Sequence, residues 1–135
     1  MINYQTNAQI HKSELENLYA SVGWTSYTND LDRLEKAIAH SLSVITAWHQ
    51  DKLVGLIRVV GDGQTIIYIQ DLLVHPDYQN KKIGTYLLAA ILQEYKDVRQ
   101  KMLLTEDAPD VRHFYEGFGF VSCDKGNLVS FYKEF

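Results

Sequence analysis

The architecture of this chain is set by the stretch Asp71-Leu72-Leu73-Val74-His75-Pro76-Asp77-Tyr78-Gln79-Asn80-Lys81-Lys82-Ile83-Gly84-Thr85-Tyr86-Leu87-Leu88. An apolar strand ends here, a proline turn follows, and a short polar loop opens a helix. The first turn of a helix has backbone N–H groups without intrahelical partners, at the positive end of the helix dipole. Because such N–H groups bind phosphate readily, the stretch is predicted to form an anion-binding loop.

The sequence on either side of this loop predicts a β-α-β unit. Residues 64–74 form an almost continuous apolar run, which indicates a strand buried on both faces. Residues 82–95 carry apolar side chains at helical spacing, and residues 102–105 follow as a second short strand. The crossover between the two strands should be right-handed, so the strands are predicted to be parallel.

The N-terminal half is predicted to contain a short strand, two helices and a hairpin. The strand covers residues 2–5, the first helix residues 8–20, and an aromatic loop residues 24–29. Asn29 or Asp30 is expected to cap the second helix. Residues 43–49 and 53–60 are rich in β-branched and aromatic side chains, which favours a hairpin.

The C-terminal part is predicted to add one helix and two closing strands. Asp107 is expected to cap a helix whose first turn contains Pro109. Residues 120–123 and 128–135 are expected to pair as antiparallel strands.

Length and composition restrict the class of protein. The 135 residues are expected to form a single domain, residues 1–135. A formal charge of −4 argues against a broad nucleic-acid surface. No apolar run approaches the length of a membrane span, so we expect no membrane association and a cytoplasmic location. Cys123 is the only cysteine and the five histidines have no metal-ligand spacing, so no metal site is expected.

Two motifs resemble signatures of the GCN5-related N-acetyltransferase (GNAT) family. Val74-x-Pro76-x-x-Gln79-x-x-x-x-Gly84 is similar to the family's acetyl-CoA signature, with Lys82 at the position of its first glycine and Asn80 where many members have another. The segment from Arg112 to Phe120 resembles the family's C-terminal helix signature, an aromatic-Tyr pair followed by Gly-Phe. The resemblance implies an α/β (α+β) fold, with a mixed sheet of six to seven strands and about four helices.

The resemblance also implies acetyl-CoA as co-substrate and places residues around it. The loop N–H groups would bind the pyrophosphate, and the end of the preceding strand would bind the pantetheine arm. The implied cofactor-binding residues are Leu72, Leu73, Val74, Gln79, Asn80, Lys81, Lys82, Ile83, Gly84, Thr85 and Tyr115. Lys82 bears a side chain where the family pattern has none, and that side chain must point away from the ligand.

Direct attack by an amine on the thioester needs an oxyanion donor, an acid and a base. The resemblance places the Leu72 N–H at the thioester carbonyl and makes Tyr115 the acid for the leaving thiolate. Without the resemblance, the helical spacing of Tyr115 predicts only a core aromatic residue. Asp71 and Tyr68 are the candidate bases, brought towards the acceptor by a β-bulge near residue 72. The alternative for Asp71 is a structural carboxylate that caps neighbouring N–H groups.

The acceptor is expected between the aromatic loop and the strand that precedes the cofactor loop. Trp24, Tyr27 and Tyr68 are the candidate substrate-binding residues, with Trp48 and Tyr86 as further aromatic candidates. Residues 22–24, 53–58 and 71–74 also resemble plant and cyanobacterial serotonin N-acetyltransferases. The expected activity is therefore acetyl transfer to a small arylalkylamine or polyamine.

Three alternatives accompany this expectation. One is a non-catalytic acyl-CoA-binding sensor or interaction module, favoured by Lys82 and by the absence of an obvious base. Another is a protein N-terminus or lysine as the acceptor. A nucleotide-binding P-loop is excluded because no Gly-x-x-x-x-Gly-Lys-Ser/Thr is present. Members of the family are often dimers, so a homodimer is one expected state.

Overall fold

The computed structural model describes residues 1–135 and divides into two compact units, Met1–Leu104 and Thr105–Phe135. The elements of the first unit are β1 (Ile2–Thr6), α1 (Lys12–Ser21), α2 (Thr25–Thr28), α3 (Leu31–Ala39), β2 (Ser43–His49), β3 (Lys52–Gly61), β4 (Ile66–Val74), a 3₁₀ turn (Pro76–Tyr78), α4 (Ile83–Glu94) and β5 (Gln100–Leu103). The second unit contains α5 (Pro109–Glu116) and a 3₁₀ turn (Cys123–Lys125). None of the helices is both long enough and apolar enough to span a bilayer.

The five strands form one mixed sheet in the order β1-β2-β3-β4-β5. The first three pairs are antiparallel, and β4 and β5 are parallel across α4. The mixed α/β class and the β-α-β unit are therefore confirmed. The hairpin of residues 43–49 and 53–60 is also present, as β2 and β3.

The number of strands was predicted wrongly, because residues 120–123 and 128–135 form none. The apolar side chains of residues 128–135 lie in solvent, with Leu128 69% and Phe131 94% exposed. A two-stranded pair needs a buried apolar face to be stable, and these side chains supply none.

Several helix boundaries also differ from the prediction. α1 begins at Lys12, later than predicted, with His11 as its N-cap. The His11 N–H donates to the Glu14 carboxylate at 2.9 Å. The aromatic loop contains the one-turn helix α2. Asp30 caps α3 as expected, accepting from the Arg33 N–H at 3.2 Å. Asp107 caps nothing, because its carboxylate accepts from Arg112 Nε at 2.6 Å.

A β-bulge interrupts β4. Arg58 pairs with Asp71 and the next residue of β3, Val59, pairs with Ile69. Gln70 is therefore the extra residue, which bends β4 and changes the direction of the side chains that follow. The bulge lies two residues before the predicted position. Its effect on burial is visible at Gln70, which is exposed between buried Ile69 and buried Asp71, so β4 is not buried on both faces as predicted.

Beyond the bulge, alternate backbone N–H groups of β4 point away from β3. The His75 N–H donates to the Val54 carbonyl at 2.8 Å. Because bonded and non-bonded pairs alternate in an antiparallel ladder, the N–H groups of Leu72 and Val74 point to the opposite edge. β5 pairs with β4 only as far as Ile69. The Leu72 and Val74 N–H groups therefore lie beyond the reach of both neighbouring strands.

The core of the first unit lies on both faces of this sheet. On one face a cluster of buried side chains joins α1 and α3 to the sheet, namely Leu15, Leu18, Tyr19, Leu34, Val44, Trp48, Leu53, Leu56 and Leu73. Elsewhere on the sheet α4 packs closely over Gly55, where an added Cβ would lie 3.0 Å from Ile83 Cγ2 and 3.3 Å from Leu87 Cδ1. The close approach at Gly55 fixes the start of α4, and so the position of the loop that precedes it.

Candidate functional site

The loop of residues 75–85 is held by its own hydrogen bonds. The Tyr78 N–H donates to the His75 carbonyl at 2.8 Å, and His75 Nδ1 accepts from the Asp77 N–H at 3.1 Å. Gln79 folds back, so that its Nε2 donates to the Val74 carbonyl at 3.0 Å. That bond ties the loop to the outward edge of β4.

The second half of this loop has free backbone donors. The N–H groups of residues 80–85 donate no hydrogen bond within the chain, and the first N–H to close the helix is that of Tyr86, which donates to the Lys82 carbonyl at 3.0 Å. Asn80 and Lys82 have left-handed backbones, with φ of 62° and 66°. Free donors at the start of a twelve-residue helix form a group that can bind a phosphate.

Two lysines and an aromatic ring belong to the same loop as these donors. Lys81 and Lys82 are exposed. The Lys81 ammonium lies 5.3 Å from the centre of the Tyr78 ring, and that of Lys52 lies 5.6 Å from it. The Tyr78 hydroxyl lies 2.8 Å from His49 Nδ1. Tyr78 therefore connects the loop to the β2–β3 hairpin and keeps positive charge nearby.

Asp71 lies in a buried network at the bulge. Arg58 and Asp71 are only 6% and 2% exposed, and Arg58 Nε donates to Asp71 Oδ2 at 2.8 Å. The Tyr19 hydroxyl donates to the same oxygen at 3.0 Å, and the Tyr27 hydroxyl donates to Oδ1 at 2.7 Å. Both carboxylate oxygens of Asp71 are thus engaged, which satisfies a buried charge that would otherwise be costly.

The environment keeps the groups around Asp71 in defined protonation states. Burial, and then the Asp71 carboxylate, raise the pKa of Tyr19 far above its usual value. Burial and the hydrogen bond to Asp71 raise the pKa of Tyr27 as well. Burial alone would lower the pKa of Arg58, but the Asp71 carboxylate raises it above the ordinary value. Arg58 is therefore charged, and both tyrosines keep their protons at neutral pH.

The predicted aromatic residues fall into separate surroundings. Half-buried Trp24 lies beside Tyr27, with ring centres 6.2 Å apart. Half-buried Tyr68 lies on β4, and burial raises its pKa while a hydrogen bond with the Leu104 backbone partly offsets the rise. Trp48 belongs to the core, where its Nε1 donates to the Thr46 hydroxyl at 2.8 Å. Tyr86 is exposed and stacks on Tyr4, with ring centres 3.7 Å apart.

Tyr115 lies in the second unit, on α5. It is half-buried, and its ring meets Phe114 and Phe120 edge to face at 5.1 and 5.8 Å. Burial raises the pKa of the Tyr115 hydroxyl. The hydroxyl therefore carries its proton throughout the neutral range.

Sequence reasoning missed Arg58 as a member of the site. The signal was present, because Arg58 is the one charged residue inside the apolar run of residues 53–60. An arginine in a buried strand needs an anionic partner, and Asp71 is the only carboxylate on β4, the strand that follows.

Comparisons with known proteins agree on one family. The model of the acetyltransferase (GNAT) domain matches residues 14–131. An uncharacterized ycf52-like N-acetyltransferase of Prochlorococcus marinus is 32% identical over an alignment of 123 residues that covers 88% of this chain and 67% of that protein. A GNAT-family acetyltransferase of Streptococcus pneumoniae superposes with a TM-score of 0.84 at 34% identity, over 99% of this chain and 100% of the other.

A more distant structure shares the fold alone. The aminoglycoside acetyltransferase AAC(6')-Iy superposes with a TM-score of 0.72 at 16% identity, over 99% of this chain and 98% of the other. The class of protein that this sheet and these relatives define is the acetyltransferases. Within that class, the chain belongs to the GNAT family.

Proposed function

We propose that this protein transfers an acetyl group from acetyl-CoA to the primary amine of a small arylalkylamine or polyamine, by direct attack in a ternary complex. The observation that carries the proposal is the row of free N–H groups from Asn80 to Thr85 at the start of α4. The neighbouring ammonium groups of Lys81 and Lys82 add charge that a diphosphate would bind. The donor set therefore fits the pyrophosphate of acetyl-CoA.

The pantetheine arm is assigned to the outward edge of β4, along Leu72, Leu73 and Val74. The N–H groups of Leu72 and Val74 turn away from β3, as a strand added to that edge would require. Bound acetyl-CoA supplies an activated thioester. The Leu72 N–H would donate to the carbonyl oxygen as negative charge develops on it, and one such donor contributes on the order of 3 kcal/mol to the transition state.

Tyr115 is assigned as the acid that returns a proton to the leaving thiolate. The assignment follows the family resemblance of the segment from Arg112 to Phe120. Its raised pKa supports the role, because a proton donor must hold its proton until the thiolate forms.

The candidate bases differ in what their surroundings allow. Both oxygens of Asp71 accept hydrogen bonds from buried partners, so we assign Asp71 to holding the bulge. The raised pKa of Tyr68 keeps its hydroxyl protonated at neutral pH, which makes it a weak base. We therefore propose that the amine attacks after losing its proton to water, and that its neutral fraction limits the rate.

The acceptor is assigned to the side of the sheet that carries α2. The rings of Trp24 and Tyr27 lie together there. Tyr68 lies on β4, the strand that carries Asp71, to which the Tyr27 hydroxyl donates. The fold is compatible with a small-molecule amine as acceptor, because the structure of AAC(6')-Iy holds a bisubstrate analogue that joins CoA to an acetylneamine. The resemblance to serotonin N-acetyltransferases favours an arylalkylamine.

The test is thiol release from acetyl-CoA with 2-phenylethylamine, tryptamine and spermidine as acceptors. We expect release that requires both acetyl-CoA and an amine. Thermal stabilisation by CoA without turnover on any amine or N-terminal peptide would instead identify a non-catalytic acyl-CoA-binding module. Turnover restricted to a lysine or N-terminal peptide would replace the small amine by a protein acceptor.

A further inference from the structure

Gln70 lies at the bulge of β4, beside the proposed acceptor site. It is the bulge residue, with no partner in β3, and it follows Ile69, where the pairing with β5 ends. Its side chain is exposed, yet its Nε2 donates to the Tyr27 hydroxyl at 3.3 Å. Gln70 therefore stands in contact with the aromatic residue that we assign to the acceptor site.

The orientation of the Gln70 amide follows from the buried network behind it. Arg58 is charged, and it pairs with the Asp71 carboxylate. Because a carboxylate accepts but cannot donate, the Tyr27 hydroxyl must give its only proton to Asp71 Oδ1, at 2.7 Å. Towards all its other neighbours the Tyr27 oxygen can act only as an acceptor.

Two groups donate to that oxygen. Arg58 Nη2 lies 3.2 Å from it and Gln70 Nε2 lies 3.3 Å from it. An amide can donate only through its nitrogen, so the network turns the NH₂ end of Gln70 inward to Tyr27. The amide oxygen of Gln70 is left over, and it accepts no hydrogen bond from the chain.

The geometry points to Gln70 as a substrate-binding residue that accepts a hydrogen bond from the N–H of the acceptor amine. The inference rests on the proposed function and deepens it. An amine has N–H donors in its charged and neutral forms, so a fixed acceptor oxygen recognises it in both. Arg58, Asp71 and Tyr27 are then positioning residues, which set the direction of the Gln70 oxygen without touching the substrate nitrogen.

The first test compares the KM for 2-phenylethylamine in wild type, Gln70→Ala and Gln70→Glu. Loss of one hydrogen bond to a charged or polarised donor should raise this KM about tenfold in Gln70→Ala, with the KM for acetyl-CoA unchanged. Gln70→Glu should lower the amine KM below that of Gln70→Ala, because either carboxylate oxygen can accept, although a carboxylate cannot donate to the Tyr27 hydroxyl and loses that bond. The matched control is Gln93→Ala, an exposed glutamine on α4, which should behave as wild type.

The second test separates orientation from general damage. Tyr27→Phe should raise the amine KM when residue 70 is glutamine, because the amide is then free to turn. The same Tyr27→Phe change should add little when residue 70 is glutamate, because a carboxylate donates no hydrogen bond to the Tyr27 hydroxyl that could be lost. An equal effect of Tyr27→Phe in both backgrounds, or an amine KM of wild-type size in Gln70→Ala, would overturn the inference while leaving the proposed function intact.

A binding measurement keeps the inference testable if no amine is acetylated. In that case the proposed function fails, and the side-chain amide signal of Gln70 is followed by NMR as 2-phenylethylamine is added in the presence of CoA. A saturable shift at Gln70, absent at Gln93, supports amine binding there without chemistry. No shift at Gln70 overturns the inference as well.

Discussion

Arg58 and Asp71 form an ion pair across β3 and β4, with Nε and Oδ2 2.8 Å apart, at the point where the pairing of the two strands shifts by one residue. The pair is almost fully buried. A charge pair at a bulge fixes the register on that side of it, because moving either strand by one residue would leave both charges without partners.

Removing the negative member of this pair should destabilise the protein strongly. Asp71→Asn keeps the shape of the side chain but leaves the Arg58 charge uncompensated, and we expect a loss of about 3–5 kcal/mol in the free energy of unfolding. Urea denaturation measures it. The control is Asp77→Asn, an exposed carboxylate for which the expected change is below about 0.5 kcal/mol. Similar effects in the two variants would show that Asp71 has no structural role.

Relieving the left-handed backbone at Lys82 should stabilise the protein. A residue with a side chain at φ 66° costs about 1 kcal/mol relative to glycine, so Lys82→Gly should raise the free energy of unfolding by up to that amount. Lys81→Gly serves as the control, because residue 81 is not left-handed and glycine there should only add flexibility. The prediction fails if both glycine variants lower the melting temperature equally.

Tyr115→Phe should abolish most of the turnover and leave CoA binding unchanged, because only the hydroxyl is lost. Thiol release measures the first, and calorimetric titration with CoA measures the second. Tyr86→Phe, an exposed tyrosine on α4, is the control and should keep wild-type rates. If the Tyr115→Phe enzyme turns over at the wild-type rate, the acid is another group.

The pH profile of the same reaction should be one-sided. The rate should rise with pH while the neutral fraction of the amine increases. Tyr115 acts in its protonated form, and burial raises its pKa above the usual value of about 10, so no loss of rate from its ionisation is expected below about pH 10. Measurement of kcat between pH 6 and pH 10, with stability checked at each pH, tests this. A decline that starts near neutrality would assign the acid to a group of lower pKa.

Enlarging Gly55 should disturb the packing of α4. A Cβ at this position meets Ile83 and Leu87 at 3.0 and 3.3 Å, so Gly55→Ala should cost roughly 1–3 kcal/mol and should weaken CoA binding by moving the start of α4. Gly117→Ala is the control, because its nearest contact would be 3.4 Å and its φ is −61°. Urea denaturation and calorimetric titration with CoA measure both effects. Unchanged stability and CoA affinity in Gly55→Ala would show that α4 shifts without cost to accommodate the methyl group.

Asp62 provides a prediction about acid stability. Its carboxylate accepts from the Thr65 hydroxyl and from the backbone N–H groups of Gln64, Thr65 and Ile66, which hold the pKa of Asp62 well below its usual range. A lowered pKa in the folded state gives stability that is present above about pH 4 and is lost as the pH falls further. The urea midpoint of wild type should therefore exceed that of Asp62→Asn at pH 7, and the gap should narrow steadily as the pH falls from 4 towards 2. A gap independent of pH would contradict this.

Local sequence patterns predicted the helices and strands that are stabilised by burying one apolar face of their own. The apolar stripe of α4 and the β-branched runs of β2 and β3 specify their own elements, since burial of that face decides the structure. The same reasoning failed for residues 128–135, whose composition suits a strand. A strand also needs a neighbour and a buried face, and neither is encoded within the segment itself.

In the candidate site too, features encoded by consecutive residues were predictable and contacts between distant residues were not. The conformation of the loop of residues 75–85 was predictable because its proline turn and helix start are consecutive in sequence. The partners of Asp71 were not, because Arg58 meets it only through the register of two strands, and Tyr19 and Tyr27 come from α1 and α2. The position of the bulge was missed for a related reason: the sequence suggests a bulge near residue 72 but does not identify Gln70 as the extra residue.

The left-handed backbone of Lys82 also bears on how such chains are found. At the position of the signature's first glycine, lysine adopts a left-handed φ of 66° in this chain, at a modest energetic cost. A search string that demands glycine would pass over chains like this one. A template written in terms of φ would retain them.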